Sequence, residues 1–99
     1  MIIAVDFDGV VMDPNNVPEG FRMGNPKEGA KDSLEKMRKD GHTIVIFSYR
    51  AKHPKHIAEW MEFFEIPYDE ITNIKGDFDL IIDDKAVKFT TWEEVKGEL

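Results

Sequence analysis

Ile2 to Val5 form an unbroken apolar, β-prone run that stops at Asp6, the pattern of a strand buried on both faces. The pattern is lost from Asp13 to Pro26 (DPNNVPEGFRMGNP), where Pro, Gly and Asn predict a long loop or flap. Asn25-Pro26-Lys27-Glu28 then predicts a helix start, with Asn25 as N-cap, Pro26 at the first helical position and Glu28 at N3. Ala30, Leu34 and Met37 follow at helical spacing, and Gly41 suits the stop. Thr43 to Phe47 (TIVIF) is a second β-branched strand. After the loop SYRAKHP, Pro54 opens a second helix, striped by Ile57, Met61 and Phe64 and flanked by Trp60, which Ile66-Pro67 terminates.

Ile71 to Ile74 and Leu80 to Ile82 predict two further strands, the second leading into Asp83 and Asp84. Ala86 to Phe89 predicts a last short strand, and Thr91 with Glu94 a capping box for a terminal helix that Gly97 cuts short. Strands alternating with helices predict a parallel sheet with helices on its faces. The expected fold is a single α/β domain over residues 1–99, three-layered α/β/α and Rossmann-like, with a mostly parallel sheet. In such sheets ligands bind outside the carboxyl ends of the strands.

Ninety-nine residues allow one core and leave no room for a second domain over the site. There are no cysteines, which removes disulfides and thiolate metal sites. The N-terminal apolar run is too short for a signal peptide or a membrane span, so a cytoplasmic protein is expected. The net charge of −7 opposes non-specific binding to nucleic acid or anionic membranes, yet leaves room for a localised cation or a phosphate-bearing ligand.

Carboxylates are placed where such a ligand would sit. Asp6 and Asp8 follow the first strand, Ser48 the second, and Asp83 with Asp84 the LII strand. Crowded carboxylates raise one another's pKa, and a hard divalent cation relieves the repulsion. Oxygen-only ligation suits Mg²⁺. A solvated turn residue is the plain alternative for one such Asp. Four at two strand ends, with a hydroxyl residue at a third, point to a site.

These stretches resemble the haloacid-dehalogenase-like (HAD-like) superfamily of phosphatases and phosphotransferases over nearly the whole chain. VDFDGV at 5–10 resembles its Asp-x-Asp-Gly at the end of strand one, with Val10 where Thr is more frequent. IVIFS, ending at Ser48, resembles its Ser/Thr motif; Lys75 and the pair Asp83-Asp84 in NIKGDFDLIIDD resemble its lysine and acidic motifs. The resemblance implies a capless Mg²⁺-dependent phosphatase with Asp6 as nucleophile and Asp8 as general acid and base. It implies that Ser48 and Lys75 hold the phosphoryl oxygens. It also implies that Asp6, Asp83 and Asp84 face the metal, joined by Asp8 through its backbone carbonyl. Lys85 is the alternative to Lys75, and which of Asp83 and Asp84 ligates directly stays open.

The substrate class extends from small phosphate esters to macromolecular ones. A missing cap goes with a bulky substrate or with closure by a second copy of the chain, and residues 13–26 offer only a flap. Arg50 and Lys52 are either solvated loop cations or contacts to a substrate anion. His53 and His56 are i, i+3 without a third ligand nearby and read as an exposed first helical turn. Trp60, Phe63 and Phe64 read as core or interface, and Arg22 as a flap residue within reach of a substrate. Two other functions compete: a receiver-like signalling module, and a catalytically degenerate member that binds phosphate and Mg²⁺ without turnover. A receiver has its acidic pair after the first strand, whereas here the Asp-x-Asp comes first and the pair last. Asp8 separates the degenerate member from an enzyme, because binding does not require it whereas acid–base catalysis does.

Overall fold

The computed structural model describes residues 1–48, 54–74, 76–86 and 88–99. The elements run β1 (Ile2–Asp6), α1 (Ala30–Lys39), β2 (Thr43–Phe47), α2 (Pro54–Phe63), β3 (Glu70–Thr72), β4 (Leu80–Ile82) and α3 (Trp92–Gly97). The strands form one sheet in the order β3-β2-β1-β4, and every pairing is parallel. This is the α/β class that the alternation of patterns predicts. None of the described helices is long and apolar enough to cross a membrane.

The middle residues of the two central strands, β1 and β2, are apolar and buried because both of their faces are covered there. Ile3 and Val5 of β1 stand level with Ile44 and Ile46 of β2. Together with Leu34 of α1 and Ile57, Trp60 and Met61 of α2 they form one buried cluster. Ala4 and Val45 alternate to the other face and are buried as well. Burial of each Val, Leu, Ile or Met side chain among these stabilises the fold by about 1.5–3 kcal/mol.

The predicted N-cap of α1 is displaced. The helix begins at Ala30, with Gly29 (φ 82) as its N-cap and no side-chain capping bond. Asn25 and Pro26 serve the loop instead. The Asp13 N–H donates to the Asn25 carbonyl (2.8 Å), the Asn25 N–H to Asn16 (2.9 Å) and the Lys27 N–H to Val11 (2.8 Å), while Pro26 bridges Met12. Backbone partners across the loop thus take the groups that a local cap would have used. The flap expected over 13–26 is consequently tied at its base, and its exposed apolar residues, Val17 and Phe21, lie nearer the tip.

Gly41 ends α1 as predicted. With φ 89 it lets the His42 N–H reach Met37 and its own N–H reach Arg38 (both 3.0 Å). The second helix ends earlier than Ile66-Pro67 implies. Glu65 takes the left-handed conformation (φ 56) and the Ile66 N–H bonds the Met61 carbonyl at 2.9 Å. Both Ile66 and Met61 are buried, and this contact turns the chain at a residue whose side chain disfavours the conformation.

The third strand lies slightly N-terminal of the predicted Ile71–Ile74. Val45 pairs Glu70, and Thr72 Oγ1 accepts the Ile74 N–H (3.0 Å), bending the chain away. No strand forms at Ala86, Lys88 or Phe89 among the described residues of the predicted final strand. The Thr91 cap is present, with its hydroxyl accepting from the Glu94 N–H (3.3 Å). The other half of the box is missing, because the Glu94 carboxylate accepts from the Thr90 hydroxyl.

Candidate metal centre

The chain runs outward from β1 through β2 to β3, then returns to lay β4 on the far side of β1. That reversal puts the topological switch point between β1 and β4, where a parallel sheet opens a crevice at its carboxyl edge. Val5 pairs with Ile82, so Asp6 and Asp83 leave neighbouring strands at the same level. One carboxylate oxygen from each of Asp6, Asp83 and Asp84 lies within 4.8 Å of the others. Asp6 is half-buried; Asp83 and Asp84 are exposed.

Local backbone geometry holds the trio. Asp83 Oδ1 accepts the Lys85 N–H at 2.7 Å, a tight turn that fixes the carboxylate beside the strand end. Gly9 makes room for Asp84: a Cβ there would stand 2.6 Å from Asp84 Oδ2, and its φ of +85 is itself a glycine conformation. The pairing of Gly9 with Asp84 joins the first motif to the last. No spacing in the sequence announces it, although a Gly directly after Asp-x-Asp is the visible trace.

The electrostatics follow. The carboxyl group of Asp6 is raised from 3.8 to about 6, first by burial, then by the charges of Asp83, Asp84 and Asp8, against a lowering hydrogen bond from the Phe7 backbone. Three acidic neighbours and partial burial make an anionic Asp6 costly unless a cation is near. The donor set is all oxygen. Ligand atoms within 4.8 Å of one another could hold a metal ion, and oxygen donors favour a hard one.

The carboxylate of Asp8 is not part of this trio. One of its oxygens, Oδ1, is buried. Ser48 directly follows β2 at the same edge, with 1% of its surface exposed and its N–H bonded to Thr72 (3.0 Å). Three strands thus bring Asp6, Ser48 and Asp83 to one edge, as the sequence predicts. Lys75, Arg50, Lys52 and His53 lie outside the described residues. His56 is exposed on the first turn of α2, Arg22 is exposed in the loop, and Lys85 is exposed beside Asp83.

The triplet Asp-Phe-Asp of residues 6–8 occurs again at 77–79, and that copy stands at the other end of the sheet. Asp79 Oδ2 accepts the Ile2 N–H at 2.7 Å, and the Asp79 N–H donates to the Ile2 carbonyl at 2.8 Å. It therefore organises the entry to β1 and is remote from the carboxylate trio. Asp69 does the same for β2: it accepts from Ile44 N–H (2.8 Å) while its own N–H donates to Ile44 (2.9 Å). Arg38 adds a 2.8 Å ion pair, and the Ile44 hydrogen bond with this cation holds the Asp69 carboxyl below its usual range.

No protein-family model matches the chain, and no curated protein matches it. A solved structure of a conserved protein from Bacteroides thetaiotaomicron is similar in fold, with a TM-score of 0.70 and 23% identity. The alignment covers 100% of this chain and 92% of that one. The likeness extends through the entire domain and establishes a shared architecture.

Proposed function

We propose that this protein is a Mg²⁺-dependent phosphomonoester hydrolase of the HAD-like type, working through an aspartyl phosphate on Asp6. The observation that carries the reading is the convergence of Asp6, Asp83 and Asp84 within 4.8 Å at the switch point of a parallel sheet. Ser48 on the neighbouring strand end and Asp8 two residues beyond the proposed nucleophile supply the remaining described groups.

In this reading Asp6, Asp83 and Asp84, with the Asp8 carbonyl, hold the cation. A bound Mg²⁺ supplies positive charge that lets an anionic nucleophile approach an anionic phosphoryl group. Asp6 attacks phosphorus and the bond to the ester oxygen breaks. Asp8 gives its proton to that leaving oxygen. Asp8 then takes a proton from water as the water oxygen attacks phosphorus, the bond to Asp6 breaks, and inorganic phosphate leaves. Capture on Asp6 divides one difficult displacement into two easier ones. Ser48 and a lysine, Lys75 or in its place Lys85, hold the transferring oxygens.

Asp8 favours turnover over mere phosphate binding, since only an acid–base step needs a second carboxylate there. The test is a panel of phosphate esters assayed with Mg²⁺ and with excess chelator. Hydrolysis that disappears in chelator and returns on adding Mg²⁺ is expected. Full activity in chelator, or no hydrolysis of any ester with Mg²⁺ present, would overturn the reading.

A further inference from the structure

Phe7 lies between the two carboxylates of the first motif and is completely buried. Trp60, on α2, meets it in a T-shaped contact with ring centroids 5.0 Å apart. Trp60 also reaches the long loop: its Nε1–H donates to the Gly24 carbonyl at 2.9 Å. The Gly24 N–H in turn points at Met12 Sδ (3.3 Å), and a Cβ at position 24 would fall 1.6 Å from the Asp13 carbonyl oxygen. The circuit closes through the backbone. The Met12 N–H donates to the Phe7 carbonyl (2.9 Å), and the Met12 carbonyl accepts the Gly9 N–H (2.8 Å).

The ring Trp60–Phe7–Met12–Gly24–Trp60 therefore grips the chain on both sides of Asp8, at Phe7 and at Gly9. Asp8 also bridges Met12 directly. Two of the links, the indole hydrogen bond and the aromatic contact, come from one side chain on a helix distant in sequence. Phe7, Met12 and Trp60 are all buried, so the ring has little freedom to deform.

We infer that Trp60 is a positioning residue for Asp8, setting the carboxyl group of the proposed acid–base through Phe7 and the Gly24–Met12 link. The inference rests on the proposed phosphatase reading. A general acid matters most when the leaving group is a poor one, since a good leaving group departs without a proton. Misplacing Asp8 should thus slow an alkyl phosphate far more than p-nitrophenyl phosphate. A loss of folded protein would slow both by the same factor.

Trp60→Phe keeps a ring against Phe7 but removes the indole N–H. In this variant kcat/KM for an alkyl phosphate should fall about tenfold and that for p-nitrophenyl phosphate about twofold or less. The Mg²⁺ midpoint, read by calorimetry on the metal-free protein, should stay unchanged because Trp60 is not a ligand. Equal losses on the two esters, with wild-type activity on both, would overturn the role of Trp60 while leaving the phosphatase reading intact. An unchanged alkyl phosphate rate would overturn it too. A wild-type protein inactive on both esters would overturn the phosphatase reading, and this inference with it. Should Trp60→Phe fold poorly, the ratio of the two rates still decides, because it does not depend on the folded fraction.

Discussion

Gly9 and Asp84 occupy adjoining space: a Cβ on Gly9 would stand 2.6 Å from Asp84 Oδ2 and 3.3 Å from Asp84 Cγ. The glycine that turns the chain after Asp8 is thus also the surface on which a carboxylate from the far strand end rests. The two ends of the proposed cation site were brought together by the sheet, and their fit depends on a missing side chain.

Gly9→Ala therefore meets two costs at once. The left-handed backbone disfavours Ala by about 1–2 kcal/mol, and the new methyl displaces Asp84. We expect a lower melting temperature and Mg²⁺ affinity weakened by about tenfold, on the scale of one coordinating partner disturbed. Calorimetric titration checks this; an affinity equal to wild type would separate Asp84 from the ion.

The carboxylates should divide their labour. Asp83→Asn removes a charge from the trio and should raise the Mg²⁺ midpoint by about tenfold or more. Asp8→Asn should leave that midpoint within about twofold while slowing turnover by roughly 10²- to 10⁴-fold, the usual scale for a lost acid–base group. Asp6→Asn should lose both, since the proposed mechanism makes Asp6 ligand and nucleophile. If Asp8→Asn lost Mg²⁺ affinity as completely as Asp83→Asn, the roles assigned to the first motif would be wrong.

The raised pKa of Asp6 makes a prediction about stability in chelator. Folding lifts its pKa from 3.8 to about 6, so the native state holds this proton more tightly than the unfolded chain. The stabilising contribution is full below 3.8 and is lost as pH rises through about 6. Asp6→Asn, which stays neutral, should melt above wild type at neutral pH, and the margin should shrink as the pH falls below 6. Added Mg²⁺ should reverse the order at neutral pH. Thermal melts across this pH range test it, and a margin that does not vary with pH would contradict it.

Asp79 should matter to folding and little to chemistry. It exchanges two hydrogen bonds with Ile2, and the four residue steps from it through β4 to Asp83 extend about 13 Å at 3.3 Å each. Asp79→Asn retains an acceptor and should keep activity within about twofold. Asp79→Ala should lower stability by about 1–2 kcal/mol, since it leaves the Ile2 N–H without this partner. Denaturant unfolding alongside an activity assay tells the two effects apart; a folded, Mg²⁺-binding but inactive Asp79→Asn would refute the polarity of the site.

The four strands and three helices of the described residues, and the edge that gathers the carboxylates, were legible from the sequence, because apolar runs and the residues that end them report local burial directly. Asp6, Ser48 and Asp83 could be placed together for the same reason: each follows a strand, and parallel strands share their carboxyl ends. The helix start at Ala30 and the stop at Glu65 were not legible. At the first, Asn25 and Pro26 find backbone partners across the loop; at the second, the burial of Ile66 and its hydrogen bond to the Met61 carbonyl outweigh the preference of Glu65. The strand order that sets β4 against β1, the space Gly9 leaves for Asp84, and the ring from Trp60 to Gly24 depend on residues far apart in the chain. Periodicity records which side of an element is buried. Only the tertiary structure decides what each buried side meets, because that is settled by packing and hydrogen bonding between elements whose separation along the chain carries no trace of their contact.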